Sequence, residues 1–483
     1  MGWFLIALLF VPFAVAICAW FAPVRAGQAL TVTTGVACFG GSVALVGRDS
    51  PTTAMSGWLR ADPLSVVFLL AVTFLYALSA LFAIGYLDAG AHRPSQYSRR
   101  LFAGLNLFCW SMAMATVVNG LALLWVAIEV TTVVSALLVA IDDTDGATEA
   151  AWKYVLIASM GLGIALLATI VMYYAGSEVF GGAYELFYPK LLGSAAHFPH
   201  AIVRLSFLLA VLGFGTKMGL VPVHTWLPDA HSEAPTPVSA LLSGALLAVS
   251  FYAILRYFQI TVRAVGPDFP RNVLLAFGLA SLLLAALYLA SQRDLKRLFA
   301  YSSVEHMGIL AIGMSFAAPI AIVGVLLHVL AHAAAKGTAF FGAGSFLRKF
   351  GTKDVIGLSG GIDSLPWSGP LLVGAVLGLC AAPPGGIFRS EFLIVSGGLS
   401  DPADVVAAVL VVLVTLASIA LMYFGTLTTT GPPADPVPRG ETSWMMVAAM
   451  CVGLAGLVLL GIHPPGSLSQ LLSHAAAQLG SGK

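Results

Sequence analysis

The sequence predicts an all-α polytopic membrane protein of about fourteen transmembrane helices, on three observations. Of its 483 residues 59% are hydrophobic and 9% charged, where a soluble domain carries roughly 25% charged residues. Apolar runs long enough to cross ~30 Å of hydrocarbon follow one another along the whole chain, at a mean hydropathy of +0.95. The few basic residues stand between these runs, singly or in short clusters.

Taken in order, the apolar runs place spans near 3–21, 29–46, 64–86, 101–118, 120–140, 153–174 and 203–221. Seven more follow near 237–258, 273–291, 299–316, 318–346, 368–399, 404–426 and 443–462. The first run lacks the basic start of a cleavable signal peptide and reads as a retained span. Past Pro465, leucines recur at helical spacing on a small, polar segment, the pattern of an interfacial amphipathic helix.

Loop charges sort by side. One side collects Arg25, Arg93, Arg99, Arg100, Lys153, Arg293, Lys296, Arg297, Arg348, Lys349, Lys353 and Arg439; the other collects Arg48, Arg60, Lys190, Arg204, Arg256, Arg263, Arg271 and Lys483. Positive charge gathers on cytoplasmic loops, so both termini are expected on the non-cytoplasmic side of the cell (inner) membrane. A net charge of +1 gives no case for nucleic acid. The five cysteines lack the paired spacing of metal or iron–sulfur ligands, so no redox centre, cofactor or metal is expected.

Two spans read as interrupted, around Pro222, Pro228, Pro235 and Pro237 and again at residues 381–386 (AAPPGG). Proline removes a backbone donor, and freed carbonyls are tolerated at membrane depth only beside protein or a hydrated cavity. Broken segments in comparable places of two halves are the trace of inverted repeats with mid-membrane sites. Ordinary kinks are the plainer alternative.

A charged side chain at the bilayer centre costs about 2.5–3.5 kcal/mol on insertion scales, so each one marks an ion path by default. Glu129 stands nine residues into a span (LALLWVAIEVTTVV) and needs a partner. Burial favours its neutral form and a cation its ionised form, so pairing with a movable lysine would make a switch. A structural ion pair is the alternative. Lys217 lies just before the first break, where loosened backbone could admit water; snorkelling to the interface is the bland reading. His328, His332 and Lys336 recur every four residues and share one helical stripe, a pattern for proton relay. No acidic or thiol ligand accompanies them, which argues against zinc. Glu305 and His306 stand at the start of a span beside a basic cluster, equally readable as an interfacial pair. Glu391 follows the second break with Arg389 two residues away as a ready counter-charge. Asp229, His231 and Glu233 belong to a proline-rich stretch that fits either a re-entrant segment or a surface loop.

These segments match a known family. Residues 216–240 (TKMGLVPVHTWLPDAHSEAPTPVSA) resemble the signature of antiporter-like, proton-conducting membrane subunits of complex I and its cation/proton antiporter relatives. Residues 293–308 (RDLKRLFAYSSVEHMG), the stretch from His332 to Lys336, and Ser390-Glu391 extend the resemblance over most of residues 100–400. The HSEAP and SSVEHMG wording is most similar to the hydrogenase-4 component F and formate hydrogenlyase branch. The resemblance implies a three-helix segment over 1–100, inverted five-helix repeats over 101–258 and 259–426, and a last helix with its tail over 427–483. Spans 7 and 12 would be broken. It implies a proton path through Glu129, Lys217, His224, His231, His328, His332, Lys336 and Glu391, with Glu305, His306, Asp229 and Glu233 less firmly placed.

One departure stands out. The resemblance puts a second lysine in the eighth span, and here that position is Ala248. Ser250, Tyr252 or His328 are the side chains expected to bridge the gap. The function implied is a proton-translocating subunit of a redox-driven complex, not an enzyme alone, with other membrane subunits and a peripheral iron–sulfur, hydrogenase or dehydrogenase arm as partners. Sodium or potassium exchange, a structural anchor that has lost conduction, and inorganic-carbon uptake remain as alternatives.

Overall fold

Hydrocarbon offers no partner for backbone N–H and C=O groups, and the chain answers with helices that bond their own backbones. The computed structural model describes residues 2–48, 50–90, 94–316, 318–400, 404–432 and 437–480, so Arg93 and Lys483 fall outside it. Helices α1 (Gly2–Phe21), α2 (Val24–Val43) and α3 (Pro63–Asp88) form the N-terminal segment. A small antiparallel hairpin, β1 (Thr52–Ala54) and β2 (Leu59–Ala61), sets Thr52 opposite Ala61 before α3.

The next group comprises α4 (Ser95–Val117), α5 (Leu121–Val139), α6 (Asp145–Phe180), the short α7 (Tyr188–Ser194), α8 (His200–Met218), α9 (Leu227–Glu233), α10 (Thr236–Leu241) and α11 (Leu247–Val265). A second follows with α12 (Asp268–Leu289), α13 (Leu295–Ser315), α14 (Pro319–Phe350), the one-turn α15 (Gly361–Ser364), α16 (Ser368–Leu379), α17 (Gly386–Leu399) and α18 (Asp404–Thr429). The chain ends on α19 (Trp444–Ile462) and α20 (Gly466–Gly480). Among the described residues, 11 helices are long and apolar enough to cross a membrane. The other three expected spans correspond to α2, to the charged α13 and to the broken pair α16 and α17.

The two groups follow one plan. In each, the third helix is the longest, with 36 residues in α6 and 32 in α14. In each, the fourth is broken: α8 stops at Met218 before α9, and α16 stops at Leu379 before α17. Gly219 closes α8 in the left-handed region at φ 85°, where a side chain would also strike Leu227. The freed carbonyl of Thr216 accepts from Trp226 Nε1 at 2.7 Å, and Val221 N donates to Ser281 Oγ at 2.9 Å. The fold therefore meets the unmet groups of the break with side chains of its own. Helices α10 and α11 join through a π-turn over Leu242–Leu246 into one segment, Thr236–Val265, buried except near its C-terminal end.

Helix α20 has the amphipathic pattern expected of it, but its apolar face is not left for lipid. Leu471, Leu472, Ala475, Ala476 and Leu479 are buried, with α20 packed on α3 and α14. Gln259 Nε2 donates to the Gln478 carbonyl at 3.2 Å.

Polar contacts gather at two ends of the bundle. At one, Asp62 caps α3 by accepting from Ser65 N at 3.0 Å and receives Arg256 Nη2 at 2.7 Å. Arg256 also donates to Ser65 and Tyr252 and lies over the Tyr188 ring. At the other, Asp294 caps α13 while Lys153, Arg297 and Lys353 pair with acids of α9. This partition matches the loop charges. Removing one member of a buried ion pair strands the other at about 3–5 kcal/mol. Asp62→Ala is therefore expected to lower stability by that order, measured as thermal unfolding of the detergent-solubilised chain.

Candidate functional site

A row of buried titratable side chains runs from α5 and α8 through α9 to α13, α14 and α17. Lys217 sits in the last turn of α8 and is fully buried, which removes the snorkelling alternative. Its ammonium donates to Thr132 Oγ1 at 2.7 Å and to the Tyr154 hydroxyl, and stands 4.6 Å from the Tyr154 ring centre. Tyr154 in turn shares a 2.7 Å hydrogen bond with Ser135. Glu129 is on the same helix as Thr132, partly buried, with Oε2 unpartnered. Neutral oxygens thus hold the lysine, one of them from Thr132, three residues along α5 from Glu129. Thr132, Ser135 and Tyr154 were not among the sequence candidates. Thr132 and Ser135 follow Glu129 at intervals of three, a helical face that the residue pattern already carried.

Past the first break, Trp226 packs 4.5 Å from Tyr154 and 6.1 Å from the His231 ring. His231 is fully buried, bonds Leu227 O through Nδ1 and leaves Nε2 unpartnered. Asp229 and Glu233 face the other way. Four residues apart on α9, they share a face that meets Lys153, Arg297 and Lys353 at the end of the bundle. The proline-rich stretch is therefore both expected things at once, with its acids at the rim and its histidine inside. His224 is 6% exposed with Nδ1 unpartnered, on the break itself.

His231 packs 5.8 Å from Phe340 on α14, and Phe340 lies 5.9 Å from Phe299 on α13. Lys336 is buried one turn before Phe340 and donates to the Phe299 carbonyl at 3.0 Å. Glu305, ten residues into α13, is buried with Oε2 unpartnered, so it and His306 stand in mid-helix rather than at an interface. His306, His328 and His332 form a cluster with ring centres 5.1–6.3 Å apart.

The cluster has a direction. Ser390 Oγ donates its one hydrogen to the Ile387 carbonyl at 2.8 Å, so it accepts from His328 Nδ1 at 2.9 Å. His328 Nε2 is then left as an acceptor, and His306 Nδ1 donates to it at 3.1 Å. Glu391 is the next residue along α17. Its expected counter-charge turns away, since residues two apart on a helix do not share a face. Arg389 donates to the Gly461 and Ile462 carbonyls at the end of α19, each at 3.3 Å. Glu391 instead lies beside His306 and His328 and lines a cavity of about 910 Å³ bounded by α13, α16, α17 and α18.

The gap at Ala248 is not filled as expected. Tyr252 is committed to Arg256 and the Thr116 carbonyl, Ser250 bonds its own helix at Leu246 O, and His328 belongs to the α17 end. His231 is packed between Trp226 and Phe340, on the side of the break toward Lys336, and the buried Lys296 donates to the Ser232 and Ala234 carbonyls nearby. Among buried side-chain atoms without a protein partner, every carboxylate or imidazole atom belongs to Glu129, His224, His231, Glu305, His306, His332 or Glu391. Buried polar atoms are otherwise almost always paired, and groups that go without a protein partner are met by water.

The sequence pattern of the family described as NADH:quinone oxidoreductase/Mrp antiporter, TM, matches residues 118–419. The chain belongs to that family. A hydrogenase-4 component F homolog of Methylacidiphilum infernorum is 35% identical over 454 residues, covering 91% of this chain and 92% of that one. Two assemblies share the fold. A chain of the Mrp complex from a Dietzia species superposes with a TM-score of 0.86 at 19% identity, over 100% of this chain and 98% of that one. A chain of respiratory complex I from Thermus thermophilus gives 0.82 at 22%, over 99% and 100%. The protein is thus a multi-pass, antiporter-like membrane subunit whose structural neighbours sit in multi-subunit membrane complexes.

For such a subunit the rim acids and the inner row predict different outcomes. Asp229→Asn removes ion pairs of the exposed kind, which contribute little. It is expected to leave both thermal unfolding and proton movement near those of the parent, measured on the purified chain and in proteoliposomes.

Proposed function

We propose that this chain is the proton-translocating subunit of a redox-driven membrane complex of the hydrogenase-4, formate hydrogenlyase or complex I-related kind. The observation that supports it best is the row itself: Lys217, His231, Lys336, Glu305 and the histidine cluster buried, Glu129 and Glu391 partly buried, with unpartnered atoms on both carboxylates, on Glu305 and on the imidazoles of His231, His306 and His332. Lys217 is the mobile element. Its ammonium rests on neutral oxygens and gains a charged partner by moving toward Glu129, so the two positions differ in proton affinity. His231 links the halves. The histidine cluster passes protons toward Glu391, because each imidazole offers one donor and one acceptor nitrogen.

The chain itself carries no redox chemistry in this reading. A partner arm with iron–sulfur, hydrogenase or dehydrogenase centres supplies the energy, and neighbouring membrane subunits complete the assembly. The loop charges set both termini on the non-cytoplasmic side. Proton movement suits the row better than sodium exchange, which needs a cage of several oxygens. The carboxylates of the row are separated, Glu129 on α5, Glu305 on α13 and Glu391 on α17.

Lys217→Ala is expected to leave assembly intact and to abolish coupled proton movement in the reconstituted complex; normal pumping by that variant would sink the switching role. His231→Leu exchanges a buried imidazole for an apolar group of similar bulk, so the unfolding temperature is expected to hold. Proton flux is expected to fall more than tenfold, since Ala248 offers no substitute. Flux that required sodium would overturn the proton reading.

A further inference from the structure

Tertiary packing supplies the acidic ligand that the histidine stripe lacks in sequence. One nitrogen each of His306 on α13 and His328 on α14 lies within 4.8 Å of a carboxylate oxygen of Glu391 on α17, and of the other nitrogen. We propose that these three residues form a binding site for a d¹⁰ divalent metal ion, Zn²⁺ in particular. The site uses residues of the proposed proton row, but its test reads metal binding and not transport, so the two readings can fail independently.

Four features carry the assignment. Zn²⁺ bonds of ~2.0–2.2 Å at tetrahedral angles place ligand atoms about 3.3 Å apart. His306 Nδ1 and His328 Nε2 already stand at 3.1 Å. Two imidazoles with one carboxylate is also a ligand set that zinc uses with a fourth position left for water, and nitrogen donors select against sodium, magnesium and calcium.

The second feature is orientation. Metal-bound imidazoles donate their other N–H to a fixed acceptor, which sets tautomer and ring angle. His328 does this through Nδ1 to Ser390 Oγ, itself anchored on the Ile387 carbonyl. The third is the supply of unmet atoms. His306 Nε2, both nitrogens of His332 and Glu391 Oε1 are buried without a protein partner. The proton balance closes within the site: Zn²⁺ takes the place of the hydrogen between His306 and His328, and His306 carries that proton on Nε2 instead. The fourth is position: Glu391 lines the 910 Å³ cavity, while both imidazoles are fully buried behind it.

Occupied, the site ties α13, α14 and α17 together. The test uses the full-length chain in detergent, freed of any histidine tag and titrated with Co²⁺ as a spectroscopic stand-in for Zn²⁺. One equivalent with the visible absorption of a tetrahedral ion, displaced by Zn²⁺, is expected. Glu391→Gln and His306→Gln are expected to weaken binding more than tenfold, and Ser390→Ala by about 10–100-fold as an orienting residue. Zn²⁺ is expected to raise the unfolding temperature of the parent and not of Glu391→Gln. X-ray absorption on the parent bound to Zn²⁺ needs no variant and is expected to find two imidazoles and one carboxylate. Equal Co²⁺ affinity in both glutamine variants, or a zinc shell without two imidazoles, would overturn the site.

Discussion

A polar group inside a bilayer must find its partner within the protein, and most of this architecture follows from that requirement. Where the backbone gives up helical hydrogen bonds, several of the freed groups are met by neighbouring side chains. Trp226 takes the Thr216 carbonyl, Ser281 the Val221 amide, and Arg389 the last carbonyls of α19. Among the described residues, unmet buried atoms also fall on the row, on Glu129, His231, Glu305, His306, His332 and Glu391.

The two five-helix groups share a plan and differ in chemistry. Both put one carboxylate on the second helix, the partly buried Glu129 on α5 and the buried Glu305 on α13. Both use a long third helix and a broken fourth. In the first group a lysine at the break rests on hydroxyls of Thr132 and Tyr154. In the second the lysine lies on the unbroken α14, and the break opens onto a carboxylate backed by three imidazoles. A hydroxyl-held lysine can move between partners, whereas a histidine cluster can store or pass a proton without displacement. Between them the joint is made by α9, whose acids hold the rim and whose histidine faces inward.

Much of this was legible beforehand because charge in a hydrophobic sequence is conspicuous. Glu129, Lys217, Lys336 and Glu391 could be picked out singly, and the proline and glycine clusters marked both breaks. Partners were harder to read. Arg389 looked like the mate of Glu391 because it is near in sequence, yet helical geometry sends the two to different neighbours. Tyr252 looked free to bridge Ala248 because nothing nearby in sequence claims it, yet Arg256 and the Thr116 carbonyl do.

The sequence by itself determined the membrane class, the spans, the sidedness of the charges and which residues carry titratable chemistry, because each is set by composition and by spacing along one helix. Tertiary structure alone decided who meets whom. It held Lys217 on Thr132 and Tyr154, turned His231 inward and Asp229 outward, and brought Glu391 to His306 and His328 from helices far apart in the chain. Those choices depend on how broken helices pack against whole ones, and contacts between residues sixty or more positions apart leave no mark in local spacing.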